Sequence, residues 1–154
     1  MLTLWRCSRG LIVAMSNPSI VNTIAALVNV VRDVPGIVFA PDNPPSQIAT
    51  TPAAVVWLTQ GRATIGPPEL STHYHQVRIG LITGMGNIAT ADQVILPQVE
   101  PTIDAVFSAL KNGDLPGIHN IAEITYTYGP IQWGDIWYFG AMIDLGEIKL
   151  QREL

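Results

Sequence analysis

The chain has 154 residues, enough for one domain with a substantial core; 48% are hydrophobic and only 13% charged, where about 25% charged is usual. Twelve acidic against eight scattered basic residues argue against a phosphate-gripping surface, and a single cysteine, Cys7, excludes an internal disulfide and a cysteine-based zinc centre. So few charges leave neutral and apolar groups to cover the surface, which points to burial in an assembly.

Arg6 and Arg9 ahead of Leu11-Ile12-Val13-Ala14-Met15 give a faint signal-peptide pattern. That apolar run is shorter than a signal h-region, and nothing approaches the length of a membrane span. Met15 is therefore a candidate natural start, with residues 1–14 an extension and residues 15–154 one domain. Ser16 or Asn17 with Pro18 suits a helix N-terminus, and Ile20, Ile24, Leu27, Val28 and Val31 recur at helical spacing until Pro35-Gly36. Ile37–Phe39 reads as a short strand and 40–52, with four prolines, as a loop.

"AAVVWLT" (53–59) suits a buried strand, 60–70 a polar Gly/Pro linker, and Val77, Ile79 and Leu81 a half-buried strand. Pro97 and Pro101 place the firm start of the second helix near residue 101. Ile103, Val106, Phe107 and Leu110 form its apolar face, and Asn112-Gly113 its end. Residues 121–129 and 135–150 then read as an antiparallel hairpin. The expected architecture is α+β: a mainly antiparallel sheet of about five strands, with two helices on one face, in the order α-β-β-β-α-β-β. Both helices leave through the same short segment, Pro35-Gly36-Ile37 and Pro116-Gly117-Ile118, an echo too brief to be a repeat.

Gly84-Met85-Gly86-Asn87-Ile88-Ala89 fits one spelling of the dinucleotide-binding fingerprint, G-x-G-x-x-A. That motif needs a parallel sheet, a helix opening at its last glycine and an acidic residue at the end of the next strand. The late helix start and the antiparallel pattern oppose all three, so these glycines read as a turn and no cofactor is expected. His73 and His75 point to one strand face, as two metal ligands would, yet only Glu69 and the distant His119 offer a third; a solvated pair is the simpler reading, and no metal is expected. No G-x-S-x-G elbow is present, and Asp42, Glu69, Asp92, Glu100 and Asp104 single out no acid–base pair, so no catalytic residue is assigned. Trp133, Trp137, Tyr138 and Phe139 crowd the final hairpin, opposite Tyr126 and Tyr128. Alternation sends Trp137 and Tyr138 to opposite faces, so both faces need cover; Trp137 is expected in the core and Tyr138 toward a neighbouring subunit.

In order and residue character, the first helix with its Pro-Gly exit, the loop at Pro44-Pro45-Ser46, "PAAVVWL" (52–58), "VRIGLIT" (77–83), "PTIDAVFSALKNG" (101–113) and "YGPIQWGDIWYFGAMIDL" (128–145) resemble the tail terminator, or tail-completion, proteins of long-tailed bacteriophages. The resemblance spans roughly residues 17–150; residues 1–14 and the linker at 60–70 lie outside it. It implies a non-enzymatic virion protein of the tail and neck, assembled in the host cytoplasm. Such a protein forms a homo-oligomeric ring, typically a hexamer, that caps the tail tube, stops its polymerisation and meets the head–tail connector. Viral DNA passes through the lumen without sequence-specific binding, and no membrane is involved. Pro44, Pro45, Trp133 and Tyr138 are the interface candidates. The alternatives are another ring-forming neck or tail-tube subunit and, from a different class, a small cytoplasmic α+β enzyme or ligand-binding domain.

Overall fold

A computed structural model describes residues 19–66, 70–84, 88–118, 121 and 123–153. Its elements are α1 (Ile20–Arg32), β1 (Ala53–Gly66), β2 (Leu70–Gly84), α2 (Ile88–Lys111), β3 (Thr125–Trp133) and β4 (Ile136–Glu153). The strands form one four-stranded sheet in the order β1-β2-β4-β3, with every neighbouring pair antiparallel. The α+β class holds. The fifth expected strand, 37–39, is instead a single parallel bridge from Phe39 to Ala53, because only Phe39 engages β1, with Val38 bonding Pro52 just ahead of it, before Pro41 turns the chain away.

Helix α1 starts at Ser19, whose side chain accepts a hydrogen bond from the Val21 N–H; the expected cap at Ser16 or Asn17 lies outside the described residues. Its apolar stripe works as the spacing requires. Leu27, Val28 and Val31 are fully buried, and Ile20 and Ile24 pack beside them. The repeated exit has one physical cause. Ile37 N–H bonds to Val34 C=O and Ile118 N–H to Leu115 C=O, each at 3.2 Å. Proline and then glycine occupy the two central positions, and Gly36 (φ +94°) and Gly117 (φ +78°) supply the left-handed backbone of a type II turn. Thr23 ties the helix to the second exit by donating to the Pro116 carbonyl at 2.7 Å.

The second helix corrects the sequence reading. It opens at Ile88 and runs through both Pro97 and Pro101. Each proline removes an N–H from the ladder, at a cost near 3 kcal/mol in an ordinary helix interior. Both sit on the exposed side, while Ile95, Val99 and Val106 are buried against the sheet. Burying such side chains contributes about 1.5–3 kcal/mol each, enough to hold the interrupted ladder in helical form. Thr102 also returns its hydroxyl to the Gln98 carbonyl at 2.7 Å.

Strand alternation sends two sets of side chains to two cores. Ala54, Val56, Val77, Ile79, Leu81, Ala141 and Ile143 meet both helices, so the helices share one face as expected. Ala53, Val55, Ile82, Ile131 and Tyr138 build a smaller cluster on the opposite face under Ile48 of the proline-rich loop. That loop is pinned by Arg32, which bonds the Ala40 carbonyl and pairs with Asp42 at 2.8 Å, and by Trp133, whose indole N–H donates to the Pro45 carbonyl at 2.8 Å. The expected linker at 60–70 is largely strand: Gln60–Gly66 pair with Leu70–Gln76, which pair in turn with the last turn of sheet on β4.

Candidate functional site

The dinucleotide fingerprint fails on topology. A helix does open at Ile88, contrary to the sequence expectation, and Met85–Asn87 lie outside the described residues. The deciding feature is β2 itself, which is antiparallel to both neighbours and so cannot be the first strand of a parallel βαβ unit. Gly84 is the last residue of that strand.

His73 and His75 do share a face, with rings stacked 6.2 Å apart at 14°. Ser71 Oγ lies 3.2 Å from His73 Nε2. Burial of the imidazole, then repulsion from His73, lowers the His75 pKa below its ordinary value of 6.5. No third ligand joins them among the described residues; Glu69 and His119 are outside that set. The pair is seated on a glycine. His75 lies over Gly61 of β1, where an added Cβ would stand 3.1 Å from its Nδ1.

Aromatic residues concentrate at the other end of β1. Trp57 covers Gly80 on the neighbouring strand and meets Trp133 edge to face, with centroids 5.3 Å apart. Beside them an apolar groove of about 580 Å³ opens along the outer side of β1. One wall is Ile20, Val21 and Ile24 of α1; the other is Asp42, Asn43, Pro44 and Trp133, with Val56, Trp57 and Leu58 as the floor. Val21 is 72% exposed and Leu58 42%, large values for aliphatic side chains beside a groove. Beyond Ala54, no main-chain hydrogen bond to the outer side of β1 is present among the described residues. A strand edge between an aliphatic wall and a mixed polar and aromatic one has the geometry to accept an extended polypeptide, with main-chain bonds on the floor and side chains to either wall.

Of the four interface candidates, Pro44 and Trp133 line this groove. Pro45 stands behind it as the acceptor for the Trp133 indole. Tyr138 is 5% exposed in the smaller core and has little left to offer a neighbour, whereas Trp137, expected to be buried, is 59% exposed. The alternation was right and the faces were exchanged, because the proline loop covers the Tyr138 face at this end of the sheet. Val21 and Leu58 were missed by sequence reasoning. Val21 lies just off the apolar stripe of α1, a signal that only gains meaning once β1 is known to be an outer strand.

On the far side of the sheet a second cavity of about 400 Å³ lies beside β3, lined by Arg78, Thr125, Thr127, Met142 and Asp144. Arg78 Nε is 3.5 Å from Asp144, an ionic contact with no hydrogen bond at that nitrogen. Asp144 is already engaged by the Gly146 N–H at 2.8 Å. Asp42 is held by Arg32 and Glu147 by Arg62, so these carboxylates serve surface ion pairs. No protein-family model matches the chain, and no curated protein matches it significantly.

Proposed function

We propose that the protein is a tail terminator: a structural subunit whose copies form a ring, most simply a hexamer, that caps a phage tail tube, stops its growth and joins it to the head connector. The observation that carries this reading is an apolar groove set on an uncovered strand edge, in a chain of which only 13% is charged. A surface of that kind is stable when another chain covers it, and closed cyclic symmetry uses such patches up without runaway polymerisation. The resemblance in element order and in the "YGPIQWGDIWYFGAMIDL" hairpin names the kind of ring. The net charge of −4 suits a lumen that DNA crosses, since a basic lining would hold the phosphates.

The test is genetic and direct. Virions assembled without the protein are expected to give filled heads separate from tails, with tails of irregular and often excessive length. Micrographs showing tails of normal length already joined to heads would refute the assignment.

A further inference from the structure

Resting on the ring reading, we infer how the copies join: β3 of one copy adds antiparallel to the outer edge of β1 in the next, so that the four-stranded sheets continue from subunit to subunit. Three features of the single chain fit together in this arrangement. The first is strand sense. In the order β1-β2-β4-β3 with all pairs antiparallel, the two outer strands run in opposite directions. A second copy placed in line therefore presents β3 to β1 with the antiparallel sense the rest of the sheet already has.

The second is main-chain direction. Ala54 donates its N–H outward to Phe39, so by two-residue alternation Val56 and Leu58 also direct their main-chain groups away from β2. On β3, Pro130 pairs with Phe139 although it has no N–H to give, which places its nitrogen on the outer side. Tyr126 and Tyr128 share the phase of Pro130, and so direct their main chain to the same side, with Tyr126 the position on which the joint is argued. Residues that face outward on both strands are those that bond when the strands meet.

The third is side-chain face. Val56 belongs to the core on the helix side, and Leu58 shares its phase. Tyr126 and Tyr128 are paired with Ile143 and Ala141, which belong to that same core, so the tyrosines stand on the helix side too. Tyr126 is 44% exposed and its ring stands edge to face with Tyr128 at 5.7 Å. In the joined sheet these rings fall over Leu58 and against Val21 of α1, covering the apolar wall the single chain leaves open. No charged residue lies in 56–61 or 125–133, and the carboxylates lining the two cavities, Asp42 in the groove and Asp144 beside β3, are each already paired, with Arg32 and Arg78.

The joint is head to tail and is tested by mixing single-cysteine variants of the full chain in a Cys7→Ser background. Leu58→Cys and Tyr126→Cys proteins, mixed and briefly oxidised, are expected to yield a disulfide-linked dimer that neither gives alone. Light scattering on the unmodified chain is run in parallel. An oligomer whose mixed variants do not cross-link overturns this joint and leaves the ring standing. Cross-linking by Leu58→Cys alone overturns it in favour of a two-fold β1 contact. A monomer at 100 times the concentration used for cross-linking overturns both the joint and the ring.

Discussion

Trp133 and Trp137 stand four residues apart in one hairpin and do opposite work. The Trp133 indole donates to Pro45, stacks edge to face on Trp57 and holds the proline loop over the smaller core. Trp137 is mostly in solvent. Trp133→Phe keeps an aromatic side chain but removes the donor and part of the ring packed on Trp57, leaving the Pro45 carbonyl without its partner, so a loss of at least about 1 kcal/mol is expected in urea denaturation. Trp137→Ala is expected to stay within about 0.5 kcal/mol of the parent, as exposed substitutions do. Equal losses for the two would mean that the loop is not held by this bond. Close to both, Gly140 shows a different constraint. Any Cβ there would collide with the Leu81 carbonyl oxygen, so β2 and β4 approach as closely as they do because that position has no side chain.

At the scale of elements, the long hairpin of β1 and β2 carries the His73–His75 stack at its outer half. The folded-state pKa of His75 lies below the ordinary 6.5, through burial and then through its neighbour. The unfolded chain therefore binds more protons than the folded one between the two values. Stability from this group is complete above about pH 6.5 and is lost as pH falls below it toward the folded pKa. Groups facing the imidazole across the sheet are Gly61 and Ile148, neither titratable, and Arg62, Tyr74 and Glu147 point to the opposite face. Melting curves from pH 7 to pH 5 are expected to show a steeper decline for the parent than for His75→Gln, with the two converging near neutrality. Parallel curves across that range would show that His75 is not the group responsible.

For the whole molecule, the sheet has helices on one face and a pinned loop on part of the other, with β1 and β3 as its outer strands and, among the described residues, no main-chain bond to the outer side of β1 beyond Ala54. The joint inferred from these edges consists of main-chain bonds, tyrosines and aliphatic side chains. Its strength should therefore hardly depend on ionic strength. Light scattering is expected to give the same oligomer mass in 0.1 M and 0.5 M salt, although screening shortens from about 10 Å to below half that across the range. Dissociation at the higher salt would point to an ionic interface and away from the sheet edges.

Local chemistry made much of this legible in the sequence. The stripe of α1 repeats at helical spacing, the two Pro-Gly exits carry their own turn geometry, and the alternation of 77–81 and 136–145 fixes which residues share a face. These are short-range facts, set by backbone sterics and by periodicity within one element. The length of α2 was not legible, because its prolines oppose a helix locally and only packing of Ile95, Val99 and Val106 on the sheet outweighs them. Residues 60–66 looked like a linker because Gly61 and Gly66 weaken a strand, and it is pairing with β2 that makes one. The exchange of Trp137 and Tyr138 has the same origin: alternation assigns two faces but not which one the chain later covers. The groove likewise exists only in three dimensions. Val21, Pro44, Leu58 and Trp133 are scattered over more than 100 residues of sequence, and they meet because the strand order leaves β1 outermost, between a helix and a loop that each belong to a different core.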